Sequence, residues 1–345
     1  MGSSSCGCGS GSPVQLARAK EHAGEAPALP AMIAWRDVAG GWRVRWGIGR
    51  MRYSIPPGLY RVGEPDRKSP VLVTANYKLT VDAVRRELAG LNVWLLVLDT
   101  RGVNVWCAAG KGTFGTAELV RRIEAANLAG VVEHRDLILP QLGATGVAAH
   151  EVKRTTGFSV HYGPVRARDI RAWLAAGMHA TPEMRRVTFG WKDRIVLAPM
   201  EVAGALKPAA VVLVGLALLD LLRHRTITWH VAADFAPLLA AMFAGTVLVP
   251  LLLPWLPSRV FAVKGAVAGA VCAAATLIGL HGGAIDAAGT LMLATAIASY
   301  TGMMFTGAAT FTNLAGARLE VRRALPAIVV LAAFGAVLRV AAAFV

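Results

Sequence analysis

One cysteine stands in a segment whose residue types suit metal chemistry. The segment runs Asn104-Val-Trp-Cys-Ala-Ala-Gly-Lys-Gly-Thr-Phe-Gly115, so small residues and a glycine-rich stretch follow Cys107. A thiolate is a strong, soft donor to a transition metal, and Lys111 together with a helix N-terminus would favour the thiolate. Small residues also let the backbone approach a large, flat ligand. We therefore interpret Cys107 as a candidate metal ligand, the alternative being a small, buried apolar residue.

Other potential ligands give weaker signals. Gly110-Lys-Gly-Thr113 is similar to a phosphate-binding loop but lacks the earlier glycine of the Walker spacing, which disfavours a nucleotide site. His150 and His161 are isolated histidines, which either bind a metal or, more commonly, make structural hydrogen bonds. Cys272 lies in an apolar segment rich in Gly and Ala, where packing is its expected role.

Alternating strands and helices must position Cys107. Apolar runs predict buried strands, and apolar residues three or four apart predict helices. Their alternation is typical of a parallel sheet with helices on both faces, which makes the predicted fold class α/β and Rossmann-like. The predicted strands are 71–75, 92–98, 137–139 and 159–162, and the predicted helices are 80–88, with Thr80 as N-cap, 116–124, 147–155 and 169–176.

The carboxyl ends of parallel strands meet at one edge of a sheet, where ligands of such folds bind. Three segments follow the predicted strands: Thr74–Lys78, Thr100–Gly115 and Gln141–Gly146. We expect them to form one rim around the ligand.

The composition changes along the chain. Residues 1–30 are rich in Gly, Ser, Ala and Pro, which predicts a disordered tail. Charged and apolar residues are mixed over residues 31–200, which predicts a cytoplasmic domain. Within it, the stretch 31–68 holds Trp35, Trp42 and Trp46 among Gly and Arg, which predicts short strands packed on the main domain. From residue 201 onward Ala, Val, Leu and Gly dominate, and the whole chain is 55% hydrophobic with a mean hydropathy of +0.51. This half predicts an all-α transmembrane domain of about five helices, at roughly 202–222, 232–253, 260–280, 287–309 and 324–345.

The formal net charge is +15, but the basic residues form no single run and no recognition motif accompanies them. This disfavours a nucleic-acid partner and favours the lipid bilayer as the partner of the basic residues. More Lys and Arg fall in the predicted inner loops than in the outer ones, so we expect the N-terminal domain in the cytoplasm, the C-terminus outside, and a multi-pass protein of the inner membrane. The four cysteines are too few and too scattered for a disulfide framework.

Three stretches carry a family resemblance: 71–80, 97–115 and 140–146. Together they resemble the corrinoid-binding domain of the corrinoid iron–sulfur protein of the acetyl-CoA pathway. The motif around Cys107, followed by membrane helices, resembles the mercury-methylating corrinoid proteins. The likeness covers about residues 55–200, and the polar stretch Met304–Gly316 is also similar to one in the mercury-methylating family.

The resemblance implies a corrinoid cofactor and assigns its contacts. In that family the cysteine of this motif is the lower axial ligand of cobalt on a short cap helix, so Cys107 takes the catalytic and metal-binding role. The implied cap residues are Asn104, Val105, Trp106, Ala108, Ala109, Gly110 and Lys111. Further contacts, either to the corrin and its nucleotide tail or to turn structure alone, are predicted for Thr74, Asn76, Tyr77, Thr100, Gln141, Gly143, Ala144 and Thr145.

The resemblance also implies an activity, namely methyl transfer from a methylated folate, or its methyltransferase, through cobalt to Hg(II), giving methylmercury. The chain has no cysteine cluster for an iron–sulfur centre, so the implied reductant is a ferredoxin-like partner with two [4Fe–4S] clusters. Cys6 and Cys8 either capture Hg(II) or belong to a solvated leader. Two alternatives stay open: a membrane-bound methyl carrier of one-carbon metabolism with another acceptor, and a non-catalytic corrinoid-binding module.

Overall fold

The first half of the chain contains one five-stranded sheet. The structure, a computed structural model, describes residues 26–278 and 283–342. The strands are β1 (Gly58–Val62), β2 (Val71–Ala75), β3 (Val93–Leu98), β4 (Asp136–Leu139) and β5 (Ser159–Tyr162), and they lie in the order β1-β3-β2-β4-β5. Strands β2 to β5 are parallel to their neighbours, whereas β1 pairs antiparallel with β3 at the edge. The predicted α/β sheet is therefore confirmed, and its antiparallel edge strand β1 lies within the stretch 31–68 for which short strands are predicted.

Seven helices belong to this half within the described residues: α1 (Trp35–Arg45), α2 (Lys78–Glu87), α3 (Val105–Lys111), α4 (Thr116–Ala125), α5 (Leu128–Val131), α6 (Ala149–Thr156) and α7 (Ile170–Ala175). One hydrophobic core joins the sheet to α3, α4 and α6, and includes Phe114 and Leu119. A second core joins the opposite face to α2 and to Trp173 of α7. Helices cover both faces of the sheet, as the near-continuous apolar sequences of β2 and β3 require.

Two local predictions are wrong. Trp35 and Trp42 lie in helix α1 instead of in short strands, because the apolar residues there recur at helical spacing and Gly41 and Val44 pack inward. Helix α2 begins at Lys78, after Tyr77, so Thr80 lies inside its first turn and is not the N-cap. Ion pairs made by Lys78 account for this earlier start.

The second half of the chain is helical. The described part of the chain divides into two compact units: residues up to Val44 together with Ile48–Val187, and Arg45–Gly47 together with the residues from Thr188 onward. The helices described in the second unit are α8 (Trp191–Ile195), α9 (Ala198–His224), α10 (His230–Phe243), α11 (Val249–Leu251), α12 (Phe261–Leu277), α13 (Ala284–Met304) and α14 (Leu314–Ala342), with a π-helical segment at Ala244–Leu248 between α10 and α11.

Four stretches of the described residues are long and apolar enough to cross a membrane: Trp191–His224, His230–Leu251, Ala284–Gly307 and Ala315–Ala342. The shorter apolar helix Phe261–Leu277 coincides with the third predicted span. All five predicted segments are thus mainly helical, and their insertion in a membrane stays a prediction. The ends of two predicted spans, at 279–280 and 343–345, lie outside the described residues, as do the predicted disordered tail up to residue 25 and Cys6 and Cys8.

Small residues let the helices of this unit approach closely. A Cβ atom on Gly265 of α12 would lie 2.2 Å from the Ala298 carbonyl oxygen of α13. Gly289 of α13 and Gly335 of α14 face each other, since a Cβ on either would lie 2.9 Å from the carbonyl oxygen of the other. These contacts are typical of helix pairs packed through glycine.

Candidate functional site

The candidate site lies at the carboxyl edge of the sheet. Strand β2 lies in the sheet between β3 and β4. After β2 the next strand in sequence, β3, is added on one side, whereas β4 and then β5 are added on the other side. Such a change of direction opens a crevice beyond the strand ends. The segments after β2, β3 and β4 lie at this edge because these strands are parallel. The predicted rim of three segments is therefore present.

Helix α3 carries Cys107 and is fixed at both ends. The Asn104 Oδ1 atom accepts a hydrogen bond from the Cys107 backbone N–H at 2.9 Å, which caps the helix. Gly112 ends the helix at φ 78°, a left-handed conformation that glycine adopts without steric cost. The cysteine consequently has a defined position on a short helix, as predicted.

The two faces of α3 have different surroundings. The inward face consists of three residues buried in the core: Val105, Ala108 and Ala109. Cys107 is exposed with a free thiol, Trp106 is 44% exposed, and Gly110 and Lys111 are exposed beside them. The alternative interpretation of Cys107 as a buried packing residue is therefore wrong. Its sulfur is open to a ligand, while the inward residues act by holding the helix.

The loop after β4 packs tightly against the segment that follows α3. A Cβ on Gly143 would lie 2.5 Å from the Phe114 ring, and a Cβ on Gly146 would lie 2.1 Å from the Phe114 carbonyl oxygen. Phe114 itself is fully buried. Gly143 thus makes room for the Phe114 ring, while the side chain of Thr145 is exposed to solvent. Phe114 was not among the predicted site residues, although its place between Gly112 and Gly115 was a usable signal.

Asn76 connects β2 to the loop before α3. Its Oδ1 atom accepts hydrogen bonds from the backbone N–H groups of Thr100 (3.2 Å) and Gly102 (3.0 Å) and lies 2.9 Å from the Thr100 hydroxyl. Its Nδ2 atom donates to Asp99 at 3.3 Å. Asn76 and Thr100 are both buried. The structure therefore uses both polar side chains to shape the loop.

The remaining predicted residues are spread over the rim. Thr74 is buried on the α2 side of the sheet, opposite to α3, because side chains alternate along β2; its Oγ1 atom has no hydrogen-bond partner among the described residues. Tyr77 is buried beneath the guanidinium of Arg50, 5.9 Å from the ring centroid. Gln141 accepts a hydrogen bond from Arg185 at 2.9 Å. Ala144 is partly exposed.

A buried ion cluster holds α1 against α2, directly after Tyr77. The Lys78 ammonium lies 2.5 Å from Asp37 and 2.8 Å from Asp82, and the Arg85 guanidinium bridges the same two carboxylates. Partial burial opposes ionisation of Asp37, but hydrogen bonds from Lys78 and Arg85 outweigh it and lower its pKa to about 2. The cluster fixes the entrance to α2 and thereby one boundary of the rim.

The other candidate ligands lie elsewhere. His161 pairs with Asp136 across β4 and β5 at 2.8 Å, which fits the structural alternative. His150 is exposed on α6, and Cys272 is half-buried in α12. The rim thus offers one soft donor atom, the Cys107 sulfur, which belongs to no group of three or more potential metal ligands among the described residues.

The part of the chain that holds this sheet and rim has known relatives. Residues 50–174 match the family described as CO dehydrogenase/acetyl-CoA synthase delta subunit. The predicted resemblance to a protein of the acetyl-CoA pathway is therefore confirmed over this segment. The resemblance to the mercury-methylating family stays a prediction.

Individual relatives point the same way. Subunit gamma of the acetyl-CoA decarbonylase/synthase complex of Methanopyrus kandleri is 39% identical over 123 residues, which make up 35% of this chain and 26% of the relative. The corresponding subunit of Archaeoglobus fulgidus is 33% identical over 127 residues, or 36% of this chain and 27% of the relative. The corresponding subunit of Methanocaldococcus jannaschii is 39% identical over 98 residues, which make up 28% of this chain and 20% of the relative. The chain thus spans about a quarter of the length of these curated relatives.

Proposed function

We propose that the first unit binds a corrinoid, with the Cys107 sulfur as a ligand of its cobalt, and that the chain transfers a methyl group from a methylated folate-type donor to Hg(II). One observation carries the proposal: a free, exposed thiol is fixed on a capped helix at the ligand-binding edge of an α/β sheet. The donor type suits the group, because thiolate sulfur is a strong ligand for soft and borderline metals.

The residues around Cys107 suit a large, flat ligand. Trp106, Gly110 and Lys111 are exposed on the same helix as Cys107, and Gly110, one helical turn further on, adds no side chain beside the thiol. The Asn104 side chain caps the helix by accepting a hydrogen bond from the Cys107 backbone N–H, which leaves the cysteine sulfur free to bind. A corrinoid bound there would supply a metal centre that accepts and releases a methyl group. The chain's own part is to present an anionic sulfur donor, which favours release of the methyl group with its electron pair to an electrophile such as Hg(II).

The membrane and the electron donor form the second part of the proposal. The apolar helices of the second unit support a multi-pass membrane protein. Placement in the cytoplasmic membrane, with the sheet domain inside and the C-terminus outside, rests on the distribution of Lys and Arg in the sequence and on counting the shorter helix Phe261–Leu277 as a fifth span. A ferredoxin-like partner with two [4Fe–4S] clusters would supply electrons. Both features come from the sequence pattern and the family resemblance described above.

The decisive test of the ligand role is spectroscopic. The purified full chain, reconstituted with corrinoid, should show an absorption spectrum that changes on replacing Cys107→Ala, because the sulfur ligand is lost. Cys272→Ala is the matched control, since that cysteine lies in α12. Identical spectra for the Cys107→Ala variant and the parent would rule out sulfur ligation. Cys107→Thr should behave like the alanine variant, because a hydroxyl is a poor replacement for thiolate.

The acceptor needs a separate assay. A methyl-labelled folate-type donor, a reductant and Hg(II) are incubated with the full chain, and label is sought in methylmercury. The relatives are subunits of acetyl-CoA decarbonylase/synthase complexes, which favours a second candidate function: a methyl carrier with an acceptor other than mercury. Label that leaves the donor without entering methylmercury supports this second candidate. Corrinoid binding without any turnover would support a non-catalytic binding module.

A further inference from the structure

Three potential metal ligands converge where α9 turns into α10. Asp220 and His224 lie one helical turn apart near the end of α9, and His230 is the first residue of α10. Each offers one ligand atom, and the three atoms all lie within 4.8 Å of one another. Asp220 is buried, whereas both histidines are exposed. The group is therefore closed on the helix side and open to solvent on the other.

Thr228 organises this turn. Its backbone N–H and its hydroxyl donate to the Asp220 carboxylate at 2.5 Å and 3.0 Å. The same hydroxyl lies 2.9 Å from His230 Nδ1, so one side chain orients two members of the group. The rings of His224 and His230 lie nearly parallel, with centroids 5.6 Å apart. Ligands that are oriented by a hydrogen-bonded neighbour are typical of metal centres.

We propose that Asp220, His224 and His230 bind a divalent cation of the zinc class. Two imidazole nitrogens and one carboxylate oxygen are a ligand set that zinc accepts, with a water molecule in the fourth position. Ligand bonds of about 2.0–2.2 Å place neighbouring donor atoms roughly 3.3 Å apart in a tetrahedral site. Asp220 Oδ1 and His224 Nε2 are already 3.7 Å apart. The set contains no sulfur, which distinguishes it from a site for the softer Hg(II).

Metal content of the full chain tests this site. The detergent-solubilised protein is dialysed against Zn²⁺, and bound zinc is counted by mass spectrometry for the parent, for His224→Gln/His230→Gln, and for the control His150→Ala/His179→Ala. The control also removes two exposed imidazoles, but outside the group. We expect the first variant to lose about one equivalent of zinc and the control to lose none. Equal zinc in all three proteins would overturn the proposal.

Cobalt substitution adds a readout that does not depend on counting. Co²⁺ bound by Asp220, His224 and His230 should give the intense visible absorption of a four-coordinate site, and excess Zn²⁺ should abolish it. His230→Cys should keep binding and shift the band, because sulfur replaces nitrogen. If the parent gives no such band, or gives a band that His224→Gln/His230→Gln retains, the group is only an ion pair between Asp220 and a protonated histidine.

A second surface, on α1, carries an independent inference. Its outward face presents Trp35 and Trp42, 77% and 57% exposed, with Val38 between them at helical spacing. The exposed side chains of Arg36 and Arg43 lie beside this stripe. Residues 35–52 contain five arginines and a single acidic residue, Asp37, whose carboxylate is occupied by the ion cluster behind the helix. The face is apolar, aromatic and basic.

We infer that α1 lies in the headgroup layer of an anionic lipid bilayer. Tryptophan concentrates at the boundary between headgroups and acyl chains, and arginine attracts anionic headgroups. A nucleic-acid duplex would use the charge but leave the Trp–Val stripe in water. The inference needs only a nearby bilayer and not the methyl-transfer proposal.

Fluorescence quenching tests this contact in the full chain. The protein is placed in lipid nanodiscs that contain phosphatidylglycerol with brominated acyl chains, which quench nearby tryptophan. The contribution of Trp35 and Trp42 to the emission is the difference between the parent and Trp35→Phe/Trp42→Phe, and the brominated lipid should quench it strongly. The contribution of Trp94, obtained in the same way from the control Trp94→Phe, should not be quenched. Arg36→Gln/Arg43→Gln should weaken the quenching in anionic discs more than in zwitterionic ones. An unquenched contribution from Trp35 and Trp42, or a dimer that only their replacement dissolves, would refute the inference.

Discussion

Replacing Asn76 by alanine should loosen the loop that leads to Cys107. The Asn76 side chain accepts hydrogen bonds from two backbone N–H groups, those of Thr100 and Gly102, and all three residues are buried. The Thr100 hydroxyl keeps a partner in the variant, because it also lies 2.6 Å from the Val103 carbonyl oxygen. Two backbone donors therefore lose their acceptor in a buried place.

The expected cost follows from those two donors. A buried donor left without an acceptor costs about 1–3 kcal/mol, so the loss of the acceptor for two donors in Asn76→Ala should destabilise the first unit by about 2–6 kcal/mol. Asn92→Ala is the matched control. The Asn92 side chain accepts one hydrogen bond, from the Glu64 N–H at 3.0 Å, in an exposed position. Its loss should cost under about 1 kcal/mol, because water replaces the missing acceptor.

Hydrogen exchange of the full chain measures this effect where it arises. In the parent, the amides of Thr100 and Gly102 should exchange slowly, and Asn76→Ala should accelerate both while leaving the amides of β5 comparatively protected. Thermal unfolding followed by tryptophan fluorescence gives the overall change. If Thr100 and Gly102 remain as protected in Asn76→Ala as in the parent, Asn76 does not hold this loop.

Three further changes have defined outcomes. Gly146→Ala places a Cβ 2.1 Å from the Phe114 carbonyl oxygen and should cost about 1–3 kcal/mol in thermal unfolding, whereas Gly110→Ala meets nothing within 4 Å and should be neutral or stabilising. The Asp37 pKa falls from 3.8 to about 2 on folding, so its ionised carboxylate stabilises the folded state by roughly 2 kcal/mol. This stabilisation is complete above about pH 4 and is lost as the pH falls towards 2. The stability of Asp37→Asn, followed in an acid titration, should not show this loss. Arg339→Ala removes the partner of Asp234 (2.5 Å) and Asp286 (2.6 Å) on two other helices and should lower the unfolding temperature in detergent, at a cost of about 3 kcal/mol.

Controls separate these effects from general damage. Arg318→Ala changes an exposed arginine on the same helix, α14, that makes no ion pair within the part of the chain that the structure describes, and it should leave the unfolding temperature nearly unchanged. For Asp37, equal acid titrations of Asp37→Asn and the parent would mean that another carboxylate controls acid unfolding. For the glycines, equal stability of Gly146→Ala and Gly110→Ala would show that the loop after β4 yields without cost.

The sheet was predictable because its strands are short, strongly apolar runs separated by helical periodicity. Val71–Ala75 and the run around Leu95 are buried on both faces, and such runs leave little freedom for another assignment. The segment before β1 was not predictable in the same way. Its helix depends on Asp37 meeting Lys78 and Arg85, which lie about forty and fifty residues further along the chain. The residues around Asp37 in the sequence do not indicate which distant residues it will contact.

The segments that form the site could be predicted from the sequence, but the role of each side chain in them could not. Cys107 lies on the exposed face of a short helix, as its motif indicates. Asn76 and Thr100 look like ligand-binding residues in sequence, because polar residues at strand ends often are. Their hydrogen bonds shape the loop, and Phe114 fills the space under Gly143, while ligand contacts of Asn76 and Thr100 stay a prediction. Which polar group meets which backbone atom depends on tertiary distances that residue spacing does not contain.

The exposure of Cys107 has a consequence for handling the protein in air. A sulfur atom that a ligand can reach is also within reach of oxidants, and a sulfenic or sulfinic product no longer offers a thiolate lone pair. The cap on α3 uses the cysteine N–H and not its sulfur, so the helix should survive this oxidation. Aerobic purification would then yield folded protein without its donor atom. A thiol reductant should restore the sulfenic form but not the sulfinic one.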